Sequence, residues 1–559
     1  MVGTAQGKIA YKMDKRKIFI IGIDGGTWDV LKPLMEDRTM PQLALLAREG
    51  VSGILNSTIP PETAPAWTSF QTGVLPGKHG IFEFYQHGSE DYNPVFVDSG
   101  KIPLPTLWDI AGRSGRKLLI VNVPLTYPPR KINGSMVTGL LTPSTQSQFT
   151  YPPELSQEIL SFEKAYTIAT TQELYNRTDL KSFLDRLIAT EESRTRTMLH
   201  LMERQSWDIA MLHFHSTDPL QHALYCHLDP THSLYDPEIH RRIKRFYHAL
   251  DSCLAKLIKA LPADALKVIV SDHGFGSVYK TININNFLVA ENFMTLKNRG
   301  AFNKKWLPAI KFLRILDKKF IRGRFSHAQR AALSRKFRLD KFIDWSQTCA
   351  FMLNGWLYGF VYLNCQGREK QGIVGSGKEY TTLREDLARR ISEIKDPQTG
   401  EPVIQDVFKK EDLYAGPFVP QAPDLVLVPR QGYAFSRSFT GSPDDLFTIN
   451  RLKRDHTGTH RPEGIFLFHG GDIDRSSTIH RAHIVDMFSS ILYSAGIDIP
   501  AYSDGKALTG VFTPEYQRRN PLRIQTNTSL EKALINPNDS FSDEEKDKIE
   551  RRLNDLGYM

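Results

Sequence analysis

Cysteine is scarce in this 559-residue chain, and long apolar runs are absent. The four cysteines, Cys226, Cys253, Cys349 and Cys365, show no CxxC or similar spacing, which favours buried thiols over disulfides or a cysteine metal site. Without a run of eighteen or more apolar residues, the sequence predicts no membrane-spanning helix. The N-terminal stretch also lacks the apolar segment of a secretory signal. These absences predict a globular, cytoplasmic protein.

Positive charge is concentrated in one segment. The chain has a formal net charge of +9, but residues 304–341 hold thirteen Lys or Arg against two Asp, a local balance of +11 that leaves about −2 for the rest. Within this segment Trp306, Ile310, Leu313 and Phe320 lie near helical spacing. We therefore expect either a basic amphipathic helix that binds an anionic membrane surface or attracts an acidic substrate, or simply a solvated helical face. No nucleic-acid-binding motif accompanies the charge.

Short apolar runs alternate with amphipathic stretches along most of the chain. KIFIIGID at 17–24 predicts a buried strand, and IHRRIKRFYHALDSCLAKLIKAL carries one apolar stripe, as a long surface helix does. The alternation continues to KVIVSDHGF and resumes at GIFLFHG, residues 464–470. Strands that alternate with helices predict an α/β fold, in which a mostly parallel sheet is sandwiched between helices.

The alternation weakens between residues 280 and 440, which predicts an inserted region beside the site. Near the C-terminus, Ser542 and Glu545 have the spacing of a capping box, and the charged helix that they open presents Ile549, Leu553 and Leu556 for docking on the body. The predicted divisions are a catalytic core of residues 16–280 and 440–515, an inserted cap of residues 281–439 and a C-terminal extension of residues 516–559.

Polar residues collect where the predicted strands end, at the edge where parallel sheets form their sites. Taken singly, each residue fits a turn, a cap or a hydrogen-bonded side chain, but together they supply three carboxylates and three imidazoles, a ligand set suited to Zn²⁺ or Mn²⁺. Asp272 and His273 converge only if the chain has already left its strand, and Gly274 permits that turn. The six residues are Asp24, Asp218, His222, Asp272, His273 and His460.

The stretch IPPETAPAWTSFQTG places Thr63 at the start of a predicted helix, with Pro65 in its first turn. A hydroxyl at this position can be an N-cap. It can also be a nucleophile, because a dication favours the alkoxide and two cations about 4 Å apart clamp the oxygens of a displacement at phosphorus. The helix start would then offer N–H groups to a phosphoryl oxygen. The six candidate ligands favour the nucleophile.

Five motifs occur in a characteristic order over residues 16–515: IGIDGG, PPETAPAWTSFQTGVLPGKHGIF, DPLQH, SDHGF and GTHRPEG. In them the sequence resembles the type I phosphodiesterase and nucleotide pyrophosphatase family of the alkaline phosphatase superfamily. The resemblance implies an alkaline-phosphatase-like fold with an inserted cap, and two bound divalent metal ions. The implied ligands of one metal are Asp24, Asp272, His273 and the Thr63 oxygen, and those of the other are Asp218, His222 and His460.

The resemblance also implies the chemistry. A metal-dependent hydrolase of this kind cleaves a phosphodiester or pyrophosphate bond in a small phosphorylated substrate, through a phosphothreonine at Thr63 that water then releases. Zinc is the first expectation for the metal and manganese the second. Phosphomonoesterase, phosphomutase or phosphonate hydrolase chemistry on the same scaffold stays open. A third alternative is a protein that binds an anionic surface through residues 304–341. The sulfatase signature Cys-x-Pro-x-Arg is absent, which argues against sulfate ester cleavage.

Some residues depart from the family pattern or lie outside it. The family has Asn three positions after the nucleophile, where this chain has Ala66. Asn122 would substitute in substrate binding if its loop reaches the site, and otherwise serves a turn. His456 is expected beside the ligands or on the surface. The stretch GKHG with His79 is expected to be structural, although it lies near the nucleophile in the sequence.

Overall fold

A computed structural model describes most of the chain. His456 and all of the basic segment except Lys341 lie outside the described part, so the predictions for them stay untested. Within the described part, no helix combines the length and the apolar content needed to cross a membrane. All four thiols are free, but only Cys226 and Cys253 are buried, so the expectation of buried thiols holds for two. The described residues are 16–87, 92, 94–169, 179–297, 341–436, 446–449, 457–525 and 541–556.

The strands range from two to ten residues in length. In chain order they are β1 (Ile18–Ile23), β2 (Val51–Asn56), β3 (Tyr85–His87), β4 (Pro94–Phe96), β5 (Leu118–Val123), β6 (Gly134–Thr138), β7 (Thr150–Tyr151), β8 (Ile209–Phe214), β9 (Leu266–Val270), β10 (Gly274–Asn283), β11 (Ala350–Phe351), β12 (Gly359–Leu363), β13 (Ile404–Lys409), β14 (Leu425–Pro429), β15 (Gly432–Ser436), β16 (Phe447–Ile449), β17 (Gly458–Arg461), β18 (Glu463–His469), β19 (Arg481–His483), β20 (Ile499–Pro500) and β21 (Ile524–Gln525).

The helices include two long ones that pack against each other, α7 and α9. In chain order they are α1 (Trp28–Glu36), α2 (Pro41–Glu49), α3 (Thr63–Thr72), α4 (Pro76–His79), α5 (Leu107–Arg113), α6 (Leu155–Phe162), α7 (Leu180–Arg204), α8 (Thr217–Leu224), α9 (Pro237–Ala260), α10 (Ile284–Ala290), α11 (Lys378–Ser392), α12 (Lys410–Leu413), α13 (Ile484–Ser494), α14 (Pro514–Arg519) and α15 (Asp543–Leu556).

Within the described residues, the central sheet has nine strands in the order β19-β2-β18-β9-β1-β8-β5-β6-β7. Strands β9, β1, β8, β5 and β6 run parallel, whereas β18 is antiparallel to both β2 and β9, and β7 is antiparallel to β6. The four middle strands β9, β1, β8 and β5 are buried along their whole length, because helices cover both faces and leave no solvent side. The predicted, mostly parallel α/β fold is therefore confirmed.

Alternate residues of β1 point into two different apolar clusters. Phe19 and Ile21 pack with residues of α1, α2, α7 and α9, and Ile18 and Ile20 pack with residues of α3, α5 and α13. This alternation follows from the two-residue period of a strand. It places α3, which begins with Thr63, on the face opposite α7 and α9.

Within the described residues, two four-stranded sheets accompany the central one, together with the two-stranded pairs β3-β4 and β20-β21. In the first, β10 pairs with β15, β16 and β17, and in the second the order is β11-β12-β14-β13, all within residues 350–429. The second sheet packs into an apolar cluster of its own. Strand β10 runs across the predicted boundary at residue 280, so one strand joins the site to the inserted region. The division into core, cap and extension stays our proposal.

The C-terminal helix α15 opens with the predicted capping box. The Glu545 N–H donates to Ser542 Oγ at 3.3 Å, and the Ser542 N–H donates to Glu545 Oε2 at 3.0 Å. Ile549 and Leu553 are fully buried, in an apolar cluster that also contains Ala64 of α3. The predicted docking is confirmed for these two residues, while the side chain of Leu556 lies outside the described part.

Candidate metal centre and nucleophile

The strand register aligns three chain segments at one edge of the central sheet. Ile23 of β1 lies opposite Phe214 of β8, and Gly22 lies opposite Val270 of β9. The residues that follow these strands, including Asp24, therefore meet at the same carboxyl-terminal edge. Every one of the six candidate ligands is buried to within 1% of full burial.

Asp272 and His273 lie between two strands rather than within one. Strand β9 ends at Val270 and β10 begins at Gly274, so both side chains are free of the alternation that would point them apart. Ser271 fixes this short connection, because its hydroxyl donates to the His273 carbonyl at 2.7 Å. The structure therefore meets the geometric condition that the sequence imposed on this pair.

Asp218 and His222 lie one turn apart on the short helix α8, and His460 approaches them from β17. His222 Nε2 is 3.3 Å from Asp218 Oδ1. His460 Nε2 is 3.0 Å from the same Asp218 oxygen and 3.0 Å from His222 Nε2. These three side chains thus direct their donor atoms at a common point.

Two triads in the cluster have ligand atoms within 4.8 Å of one another: Asp24, Asp272 and His273, and then Asp218, His273 and His460. His273 belongs to both triads, because its ring stacks on that of His460 with centroids 3.5 Å apart. The structure brings together all six candidate ligands. Their assignment to one metal or the other stays a prediction.

The three imidazoles of the cluster share one orientation. Each turns its Nδ1 towards a backbone carbonyl and its Nε2 towards the cluster. Metal-binding histidines usually have such a second hydrogen bond, which fixes the tautomer and leaves the other nitrogen lone pair for the metal. The pairs are His222 with Gly458 O at 3.0 Å, His273 with Gly274 O at 3.1 Å and His460 with Pro61 O at 3.0 Å.

Two carboxylates of the cluster, those of Asp24 and Asp272, are only partly compensated by the described residues. Asp24 Oδ1 and Asp272 Oδ2 are buried and accept no hydrogen bond from the described residues. Burial raises the pKa of both groups, and the nearby charges of Asp218 and Asp24 add to the increase for Asp24 and Asp272 respectively. Burial also lowers the pKa of His460 to about 4, so its imidazole is neutral, as a metal ligand must be. This donor set fits divalent cations.

Thr63 is the first residue of α3 and is fully buried. Its Oγ1 lies 3.4 Å from His273 Nε2, within the cluster. The alternative prediction that Thr63 is the N-cap is wrong, because Glu62 occupies that position and makes no side-chain cap hydrogen bond. The helix begins at Thr63 because the Glu62 carbonyl already accepts a helical hydrogen bond from the Ala66 N–H, at 2.9 Å.

Two histidines that the sequence reasoning missed contact the outer oxygen of Asp24. His215 Nδ1 and His213 Nε2 lie 3.1 and 3.2 Å from Asp24 Oδ2, and both side chains are buried. They leave Asp24 Oδ1 facing His273, at 3.4 Å from its Nε2. Their i, i+2 spacing at the end of a buried strand was a signal in the sequence, because two residues with this spacing lie on the same face of a strand.

Asn122 and His79 have protein partners. Asn122 has a φ of +64° and donates its Nδ2 hydrogen to the His213 carbonyl at 3.1 Å, which favours the turn role over substrate binding. His79 lies 2.9 Å from Ser69 Oγ through Nε2, and its Nδ1 accepts the Ile81 N–H at 3.0 Å. These contacts agree with the structural role expected for His79.

The inserted region reaches the site from one side. The Trp356 ring lies 5.5 Å from the His222 ring, centroid to centroid. Next to it, the Gly355 N–H donates to Glu83 Oε1 at 3.2 Å, so the insertion is hydrogen-bonded to the segment that follows α3 and α4. The site is thus bordered by the region in which the sequence predicted a cap.

Comparisons with known proteins agree with this geometry. A family model described as type I phosphodiesterase / nucleotide pyrophosphatase matches residues 18–463. Among solved structures, phosphonoacetate hydrolase from Sinorhizobium meliloti 1021 superposes with a TM-score of 0.51 at 16% identity, covering 87% of this chain and 96% of that one. Murine ectonucleotide pyrophosphatase / phosphodiesterase 5 superposes with a TM-score of 0.50 at 13% identity, covering 89% and 100%. No curated protein sequence matches the chain.

Proposed function

Because this chain belongs to the type I phosphodiesterase / nucleotide pyrophosphatase family, a family of hydrolytic enzymes, we propose that it is a two-metal-dependent phosphoric ester hydrolase. Its substrate is a small phosphodiester or pyrophosphate. One observation carries the proposal: the Thr63 hydroxyl lies 3.4 Å from His273 Nε2, the imidazole that belongs to both candidate metal triads.

The chain's own residues define the reaction. Thr63 Oγ loses its proton to water and attacks phosphorus, the new P–O bond forms as the bond to the leaving oxygen breaks, and the leaving group departs with the electron pair and takes up a proton from water. Water then attacks the phosphothreonine and restores the hydroxyl. Zinc or manganese ions, when held by the six ligands, would neutralise the carboxylates, lower the pKa of the hydroxyl and stabilise charge on the phosphoryl oxygens.

The hydrophobic surroundings of Thr63 serve the same chemistry. Ala64, Ala66 and Trp67 on the first turns of α3 are fully buried. Side chains of this kind exclude bulk water, and electrostatic stabilisation is stronger in a site from which water is excluded. Thr63 is the first residue of α3, so a phosphoryl group bonded to it would lie at a helix N-terminus, which favours an anion.

Replacement of Thr63 tests the proposal. Thr63→Ala is expected to reduce turnover of bis-p-nitrophenyl phosphate at least about a thousandfold, because the nucleophile is lost, while the bound metal stays close to the wild-type content. Thr63→Ser retains a hydroxyl and is expected to keep part of the activity. Thr72→Ala, at the other end of the same helix, removes a buried hydroxyl that donates to the Thr68 carbonyl at 2.7 Å. That matched control is expected to stay active.

The same assay distinguishes the alternatives. Bis-p-nitrophenyl phosphate, p-nitrophenyl phosphate, a dinucleotide and phosphonoacetate are each tested with zinc and with manganese, and product analysis identifies phosphomutase activity. Faster turnover of the monoester or of phosphonoacetate would replace diester hydrolysis by the corresponding chemistry. A protein that contains no metal, and whose Thr63→Ala variant retains all activity, would contradict the proposal and favour the anionic-surface binding role of residues 304–341.

A further inference from the structure

Helix α8 carries two pairs of residues that face different parts of the site. Asp218 and His222 belong to the candidate metal cluster. The residue before each of them, Thr217 and Gln221, points instead at the loop that follows β1. Because each pair has i, i+4 spacing, its two side chains lie on one face of the helix, one turn apart.

Both residues of the second pair donate hydrogen bonds to that loop. Thr217 Oγ1 donates to the Asp24 carbonyl at 2.5 Å, and Gln221 Nε2 donates to the Gly25 carbonyl at 2.8 Å. Both side chains are 1% exposed, so water does not compete for these bonds. The helix that carries two candidate ligands therefore holds the backbone of a third, Asp24.

The same loop is bound on its other side by the connection after β9. The Gly25 N–H donates to Asp272 Oδ1 at 3.2 Å, and the Gly26 N–H donates to Ser271 Oγ at 2.7 Å. The loop at residues 24–26 thus lies between α8 and the connection that carries Asp272. Any shift of α8 is passed to Asp24 through two direct hydrogen bonds.

Helix α8 is itself anchored at its N-terminal end. The Ser216 N–H donates to Glu191 Oε1 of α7 at 2.7 Å, and Arg194 pairs with the same oxygen at 2.7 Å. Glu191 and Arg194 are 2% and 0% exposed. This contact gives the helix a fixed starting point, so its four site-facing side chains move as a unit.

We propose that Thr217 and Gln221 are positioning residues that fix the separation of the two halves of the metal centre and make the binding of two divalent cations cooperative. The inference rests on the two-metal site of the proposed function. A first cation that orders Asp218 and His222 also orders Asp24 through α8, so the second cation finds its ligands already placed.

Zinc titration of the metal-free full-length protein, followed by calorimetry, tests this inference. Thr217→Val preserves the side-chain volume but removes the hydroxyl, and Gln221→Leu removes the amide. Each variant is expected to bind the second zinc ion about tenfold more weakly than the wild type, since the loss of a group that orients a ligand typically costs tenfold to a hundredfold in affinity. Thr217→Ser, which retains the hydroxyl, is expected to restore the wild-type isotherm.

Thr195→Val is the matched control. It removes a buried hydroxyl that donates to a carbonyl of its own helix, that of Glu191, at 2.8 Å. Unfolding curves in chelator identify the folded variants, and Gln221→Leu decides the question if Thr217→Val does not fold. If the wild type binds two zinc ions and both test variants bind them equally well, the inference is wrong and the proposed function stands. If the wild type binds fewer than two ions, both are wrong.

Discussion

Two groups of buried carboxylates in this molecule differ in how they are compensated. Asp424, in the inserted region, is fully buried and accepts hydrogen bonds from Arg368 at 2.6 and 2.9 Å, from Lys410 at 2.9 Å and from the Tyr380 hydroxyl at 2.8 Å. Burial alone would raise its pKa, but the bonds and charge of Arg368 hold the pKa at about 2. Asp24 and Asp272 are equally buried, yet burial and neighbouring carboxylates raise their pKa values.

This difference in compensation distinguishes a carboxylate that stabilises the fold from carboxylates that serve a functional site. A buried charge whose partners come from the protein contributes to a defined fold, and removing one partner is costly. A buried cluster of like charges that lacks those partners destabilises the protein until something else compensates it. Proteins retain such electrostatic repulsion where it serves a functional site. Mutation of the two groups should therefore act on different measurements.

The largest expected effect is on catalysis, from Asp272→Asn. Loss of this candidate ligand is expected to lower turnover at least about a thousandfold and to reduce the bound metal measured by mass spectrometry. In chelator at neutral pH, the same variant is expected to be more stable than the wild type, since a buried carboxyl with a raised pKa is removed. Urea unfolding measures this gain. A variant that is less stable in chelator would contradict the comparison.

The next effect is on stability, from Asp424→Asn. The substitution leaves Arg368 and Lys410 without their shared anion, and we expect a loss of about 3 kcal/mol in the free energy of unfolding with no change in bound metal. Asp386→Asn, which removes an exposed partner of Arg389 and Arg390, is the control and is expected to change stability little. Metal loss in Asp424→Asn would show that the two regions are coupled.

A third prediction concerns His79, a buried imidazole with protein partners. Burial lowers its pKa to about 3, so the folded state keeps it neutral while the unfolded chain takes up a proton below its ordinary pKa of about 6.5. Stability from this group is full above about pH 6.5 and falls as the pH drops, by about 1.4 kcal/mol per unit. In chelator, His79→Gln is therefore expected to show a shallower loss of stability than the wild type between pH 6.5 and 5. Parallel curves would contradict this.

The smallest effect is expected from Tyr380→Phe. It removes one of the donors to Asp424 and leaves the two cations in place, so a loss of about 1 kcal/mol in unfolding free energy is expected. Turnover and bound metal are expected to match the wild type. A loss as large as that of Asp424→Asn would mean that the network around Asp424 fails as a unit.

The sequence predicted the buried parallel strands and the position of the six ligands because both leave strong patterns. β1 is a continuous apolar run, β8 and β9 are apolar runs that contain His213 and Lys267, and a polar residue after such a run lies at the sheet edge. Strand β2 was missed, because VSGILN has a central glycine and is only half-buried. The antiparallel direction of β18 was also out of reach, since the apolar period of a strand does not record its direction.

Within the site, the sequence pattern revealed the candidate ligands but not the residues that hold those ligands in position. Thr217 and Gln221 look like ordinary helix residues in DPLQH and its surroundings. Their importance comes from backbone carbonyls more than 190 positions away, which only the folded structure brings near. The place of His273 in both triads was likewise invisible in the sequence, because it depends on the stacking of two rings from distant parts of the chain.

The docking of α15 connects the last described helix to the segment that carries Thr63, the proposed nucleophile. Ile549 and Leu553 fill the same apolar cluster as Ala64, the residue next to Thr63, and Glu545 accepts a hydrogen bond from Tyr127, 418 positions earlier. A shortened protein that ends before this helix would expose that cluster and loosen the backbone that presents the hydroxyl. Trimming the C-terminus for crystallisation would thus alter the surroundings of Thr63.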